Sequence, residues 1–147
     1  MNLENGGHSP HLSNRLVHGK TTNSILAAAY KIHSSLGPGL LESTYKACLS
    51  HELTVAGIAH EAEKKLPARY DGVLIDVGHR VDLIVEDVVI VEIKAVEALL
   101  PVHESQLLSY LRLSGKRVGL LINFNVAHLR DGIRRRILGY EDRELRR

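Results

Sequence analysis

One cysteine, Cys48, in 147 residues leaves no internal disulfide to form and no multi-cysteine zinc site to build. No apolar run approaches the ~18–20 residues of a membrane span, so no membrane partner is expected. The opening stretch, Met1 to Lys20, mixes Gly, Ser, Asn and His without an apolar centre, which is not the pattern of a secretion signal. An intracellular, cytoplasmic location is the expectation. Net charge is only +2 with histidines neutral, so no global field marks the chain as a nucleic-acid binder. Internal repeats and long linkers are absent too, and the length suits one domain with a real core.

What is present divides the chain into a mobile tail over 1–20, a domain over 21–140 and a charged tail over 141–147. His8, His11 and His18 lie in or beside the first tail and read as solvated rather than metal-binding, for want of a fixed backbone to converge them. Arg130, Arg134, Arg135, Arg136, Arg143, Arg146 and Arg147 cluster near the end, diluted by Asp131, Glu141, Asp142 and Glu144. A solvated mixed-charge face and a phosphate-contacting face are both open there.

Within the domain, Ile25, Ala28, Ala29, Ile32 and Leu36 recur at helical spacing after an N-cap at Thr22 or Asn23, and Gly37-Pro38-Gly39 stops that helix. A second helix starts near Leu40 with Leu41, Tyr45, Cys48, Leu49 and Leu53 on its apolar face, and ends at Gly57. A strand is expected somewhere in Glu61 to Tyr70, with Asp71-Gly72 as a turn. Two more follow, Arg80 to Val85 and Val88 to Ile93, then a helix from Pro101 or Val102 to Ser114 and a buried strand from Val118 to Phe124. Val126 to Asp131 reads as a short helical turn, and Ile133 to Leu138 as strand or helix. This order implies an α/β fold, a mixed central β-sheet flanked by helices.

Charge stands where the strands should be apolar: Asp82 in one, Glu92 and Lys94 in the next. Burying such groups is unfavourable by several kcal/mol unless they are paired or bound to a metal. The bland alternative is an internal salt bridge in which Lys94 neutralises Glu92 or Asp82. The chemical one is a metal site. Glu92 and Lys94, two apart, share a strand face, and the Ile93 carbonyl lies between them. Two carboxylates and a carbonyl are hard oxygen ligands that suit Mg²⁺, with Mn²⁺ as a substitute, and Lys94 could orient a water beside them. Convergence carries a condition. A two-residue turn at Glu86-Asp87 pairs Val85 with Val88 and sends Asp82 away from Glu92. A three-residue turn over Glu86 to Val88, or a bulge, sets the two opposite each other.

Asp82 followed by Glu92-Ile93-Lys94 resembles the D…(D/E)xK signature of the PD-(D/E)XK nuclease superfamily, although Val81 replaces the usual proline. Gly39-Leu40-Leu41-Glu42-Ser43-Thr44-Tyr45 is similar to the G-x-x-E-x-x-Y signature of the GxxExxY proteins within it. The likeness runs from about Thr22 to Leu138 and takes in Leu100-Pro101-Val102-His103-Glu104 and Leu121-Ile122-Asn123-Phe124-Asn125. It implies a restriction-endonuclease-like core and metal-dependent cleavage of nucleic acid, DNA before RNA. It further implies that Glu42 completes the metal site with Asp82, Glu92 and the Ile93 carbonyl, though a glutamate in a first helical turn also suits the helix dipole. Tyr45 packs its ring and could extend its hydroxyl to the substrate. Gln106 to Tyr110 resembles the Q-x-x-x-Y motif of recombination-type exonucleases. At i and i+4 these two side chains face one way, joined by His103, and could hold a phosphate or stack on a base.

The expected catalytic set is therefore Glu42, Asp82, Glu92, Lys94 and Gln106, with Tyr45, His103 and Tyr110 toward substrate. The alternative class is a non-catalytic nucleic-acid-binding or assembly module on the same scaffold, working as a homodimer or with a protein partner.

Overall fold

The computed structural model describes residues 16–139, so His8, His11 and the charged stretch from 141 onward lie outside the described residues. Helix α1 spans Gly19–Leu36 and α2 spans Glu42–Val55. Strands follow at His60–Lys65 (β1), Ala68–Tyr70 (β2), Val73–Ile75 (β3), Arg80–Val85 (β4) and Val89–Lys94 (β5). Helix α3 covers Pro101–Ser114, β6 Val118–Asn123, a short 3₁₀ turn Leu129–Gly132, and β7 Ile133–Ile137. Among the described residues no helix is long and apolar enough to cross a membrane.

Five strands form the main sheet in the order β1-β4-β5-β6-β7. All neighbours are antiparallel except β5 and β6, which are parallel and need the crossover that α3 supplies. The mixed sheet flanked by helices that the sequence implies is the architecture found. Side-chain alternation sorts the two faces. Leu83, Val85, Val89, Val91 and Ile93 pack with Ile25, Ala29, Tyr45, Leu49 and Leu53 of α1 and α2. Ile84, Ile90 and Leu121 pack with Leu107, Tyr110 and Leu111 of α3 on the other face. Gly119 sets how closely α3 can lie, since a Cβ there would come within 2.7 Å of Leu107.

Several boundaries differ from the sequence reading. Helix α1 starts three residues before Thr22, because Thr21 and Thr22 are buried and Thr22 back-bonds to the Gly19 carbonyl at 3.1 Å rather than capping. In α2, Leu41 precedes the first turn and is exposed at 73%, while Cys48 is only partly buried. The stretch from Glu61 to Tyr70 is two strands, not one. Pro67, which has no N–H to donate, separates β1 from β2, and β2 pairs with β3 in a hairpin of its own across Asp71-Gly72. The segment from Ile133 is a strand, edge-paired to β6.

Candidate active site

The site begins at the turn between β4 and β5. Glu86 and Asp87 both take positive φ, 51° and 58°, and the Val88 amide donates to the Val85 carbonyl at 3.1 Å. Pairing resumes at Val85↔Val89, so three residues, Glu86 to Val88, lie outside the ladder. Left-handed conformations disfavour non-glycine residues by about 1–2 kcal/mol each, and outside contacts help to hold them. Thr21 Oγ1 donates to Glu86 Oε1 at 3.4 Å, the Glu86 amide donates to the Ala59 carbonyl at 2.8 Å, and Lys116 Nζ lies 3.0 Å from Asp87 Oδ1. The register then runs Val85↔Val89, Ile84↔Ile90, Leu83↔Val91. Continued one step past its last pair, this register would set Asp82 opposite Glu92, the shifted register that convergence requires.

At Asp82 the sheet opens on both sides. The β4–β5 ladder stops at Leu83↔Val91, and the β1–β4 ladder skips the step at which Glu63 would meet Asp82. Glu63 has φ 52° there. Backbone groups left by a broken ladder need other partners, and the two carboxylates supply them. The Asp82 amide donates to Glu92 Oε2 at 2.8 Å, and the Ile93 amide donates to Asp82 Oδ2 at 2.7 Å. Each carboxylate is thus fixed by the other strand's backbone. Because the N–H and C=O of an extended residue point to the same strand edge, the Ile93 carbonyl is turned to the Asp82 side as well.

Two carboxylates stand close together here, and one of them is buried. Glu92 is only 5% exposed. Burial, then the charge of Asp82, push its carboxyl up to about 8, against the Asp82 backbone hydrogen bond and the nearby Lys94 ammonium. Lys46 of α2 supplies the ion pair, with Nζ 3.1 Å from Asp82 Oδ1 and 2.6 Å from Glu63 Oε1. Burial disfavours its charge, but the bonds to Glu63 and Asp82 outweigh that and raise its pKa. From the opposite face, Tyr110 of α3 feels the same site. Burial and then the charges of Glu92 and Asp82 raise its phenol, while a hydrogen bond with Gln106 works the other way.

The structure therefore brings together Asp82, Glu92, Ile93, Lys94, Tyr110 and Gln106 from the expected set. It does not bring in the other three. Among the described residues no three His, Cys, Asp or Glu side chains converge as a metal cluster, so Glu42 does not join the two carboxylates. Lys46, one helical turn further along α2, takes the place beside Asp82. Tyr45 is fully buried and stacks on Phe124 at 4.5 Å. Its hydroxyl donates to the Gly37 carbonyl at 2.6 Å and accepts from the Leu40 amide at 3.1 Å, so it fastens the α1–α2 loop and cannot meet substrate. His103 turns Nδ1 to the Leu100 amide at 3.0 Å and caps α3.

Three contributors escaped the sequence reading as site residues: Lys46, Glu63 and Asn123. Buried Asn123 accepts from the Val96 and Asn125 amides and donates to the Val96 carbonyl, fastening the connection from β5 toward α3. Its place in Leu121 to Asn125 was the one available signal. Lys46 and Glu63 had none, since each is an ordinary surface-type residue in its own element.

A groove of about 600 Å³ lies between β1, the β2–β3 hairpin and the end of α3, and Lys64, Lys65, Arg69, Arg112 and Lys116 line it. Lys64 is taken by Glu61 and Lys116 by Asp87. Lys65, Arg69 and Arg112 have no acidic partner among the described residues.

No curated protein and no solved structure matches the chain. Residues 19–136 match the sequence profile of the PD-(D/E)XK nuclease superfamily, from the start of α1 nearly to the end of β7. A match over that span, on a mixed sheet with Asp82 and Glu92-Ile93-Lys94 at its opening, makes the chain a member of the PD-(D/E)XK nuclease superfamily.

Proposed function

We propose that the chain hydrolyses phosphodiester bonds in nucleic acid, DNA before RNA, as a GxxExxY-type nuclease. Asp82, Glu92 and the Ile93 carbonyl would hold a divalent cation, Mg²⁺ or Mn²⁺. The observation that carries this reading is the reciprocal locking of Asp82 and Glu92 across the opened sheet, where burial and the charge of Asp82 push the Glu92 carboxyl up. Such a donor set fits Mg²⁺, which accepts one or two carboxylates and keeps several waters. Bound there, the cation polarises a phosphate and lowers the pKa of a coordinated water.

The chain's own residues do the rest. Lys94 shares the strand face of Glu92 and is only partly buried, so its ammonium reaches solvent where a water or a phosphate oxygen would stand. Gln106 and Tyr110, one helical turn apart on α3, present an amide and a phenol to the same side. Lys65, Arg69 and Arg112 offer phosphate contacts along the groove.

Cleavage of single- and double-stranded DNA and of RNA, with Mg²⁺ and with Mn²⁺, tests the reading in wild type, Asp82→Ala and Lys94→Ala. Wild type should cut, and each variant should lose on the order of 10²-fold or more. Equal activity in all three would mark a contaminant and end the proposal. One observation favours a second reading, a binding module without catalysis: the Lys46 ammonium already covers Asp82 Oδ1. Under it, nucleic acid binds to all three proteins and none cuts with either metal.

A further inference from the structure

Lys46 stands between two carboxylates of different standing. Asp82 Oδ2 is held by the Ile93 amide, so Oδ1 is the oxygen that the backbone leaves over, and Lys46 Nζ sits on it at 3.1 Å. On its other side the same ammonium makes a shorter contact, 2.6 Å, with Glu63 Oε1. Glu63 leaves the regular course of β1 at φ 52°, at the step opposite Asp82, and its side chain is 47% exposed. A lysine ammonium on its four-carbon stem can shift between two such oxygens without a change of backbone. A divalent cation on Asp82 Oδ1 would stand within a few ångström of this ammonium, and like charges at that range repel, so the two compete for the oxygen.

We propose that Lys46 is the built-in counter-ion of the cation site, and that Glu63 is the post to which it withdraws when a divalent cation takes Asp82. This rests on the metal-site reading of Asp82 and Glu92. Lys46 is then a positioning residue, not a catalytic one. It neutralises Asp82 before the cation arrives, and it competes with the cation for one oxygen. Glu63 reduces the free-energy cost of giving that oxygen up, since the ammonium keeps a partner as it leaves. The device makes cation affinity depend on two residues that touch no substrate.

Calorimetric titration with Mn²⁺ alone, without nucleic acid, tests this in the full chain. Lys46→Met should bind Mn²⁺ about tenfold tighter than wild type, and Glu63→Gln several-fold weaker. In the Lys46→Met background, Glu63→Gln should change affinity by less than about twofold, because the post has nothing left to receive. If Glu63→Gln weakens Mn²⁺ equally in both backgrounds, Glu63 serves the cation directly and the exchange is overturned. The exchange also fails, with the metal site intact, if wild type binds Mn²⁺ through Asp82 but Lys46→Met binds no tighter. No Mn²⁺ binding by wild type, Lys46→Met or Asp82→Ala sinks the metal reading and this inference together. Lys46→Gln, which keeps a hydrogen-bond donor for Asp82, replaces Lys46→Met if the latter does not fold, with the same expected sign.

Discussion

Raising the pH of the metal-free protein should weaken its fold through Glu92. The folded protein holds a proton on this carboxyl up to about pH 8, whereas an unfolded chain releases it near the usual 4.5. Between those values the native state binds more protons than the unfolded one, so unfolding free energy falls as pH rises. The contribution is fully present below 4.5, declines through the window and is gone above 8. Each pH unit in the window is worth about 1.4 kcal/mol per proton, so the whole fall is on the order of 5 kcal/mol. Urea unfolding from pH 5 to 9 in a chelating buffer measures it, with Glu92→Gln as the reference for groups that do not interact with Glu92. Wild type should lose several kcal/mol relative to Glu92→Gln across that range. If the metal-site reading holds, saturating Mn²⁺ would take the proton's place beside Asp82 and should flatten the wild-type profile. Parallel profiles for the two metal-free proteins would show that neither burial nor the Asp82 charge perturbs Glu92, and would refute this reasoning.

Four other outcomes follow from the packing and the groove. Gly119→Ala pushes a Cβ against Leu107 beneath α3; denaturant unfolding should register a loss of about 1–3 kcal/mol. Tyr45→Phe removes the bonds to Gly37 and Leu40 but keeps the stack on Phe124; stability should fall by roughly 1 kcal/mol with cleavage rate unchanged. Asn123→Ala strips Val96 of both backbone partners; thermal unfolding should show a loss of about 2–4 kcal/mol. Lys65→Ala and Arg112→Ala, if their cations meet phosphates in the groove, should each lower the salt slope of DNA binding by about 1 without altering Mn²⁺ affinity.

The long elements were readable because their patterns are local. Ile25, Ala29 and Ile32 mark α1, and the apolar runs Val89 to Val91 in β5 and Leu120 to Ile122 in β6 mark strands covered on both faces. β2 and β3 were not, because three residues each are too few to display a period. The start of α1 was misplaced for another reason. Thr22 has the chemistry of an N-cap, but burial of Thr21 and Thr22 made another turn of helix the better use of the same residues. The turn at Glu86 to Val88 was legible only as a condition. Nothing in the two acidic residues decides between a two- and a three-residue turn; the contacts from Thr21, Ala59 and Lys116 help to hold it, and they come from elsewhere in the fold.

At the site, the same distinction separates what could be read from what could not. Asp82 and Glu92 stood out because a carboxylate in an apolar strand violates a local rule. Lys94 was the natural candidate to neutralise them, being close in sequence and on the Glu92 face. Alternation, however, says only how a side chain points from its own strand, not which helix arrives beside it. Helix α2 arrives with Lys46, and its ammonium pairs with Asp82. Lys94 forms no ion pair among the described residues, although its charge reaches Glu92. Under the proposed mechanism the two lysines divide the tasks: Lys46 offsets the carboxylate charge, and the Lys94 ammonium is left for a water or phosphate. Substituting each in turn separates them: Lys46→Met should move Mn²⁺ affinity, whereas Lys94→Ala should abolish cleavage and leave Mn²⁺ affinity within about threefold of wild type. If Lys94→Ala tightened Mn²⁺ as much as Lys46→Met, both ammoniums would be acting as counter-ions, and the division would be wrong.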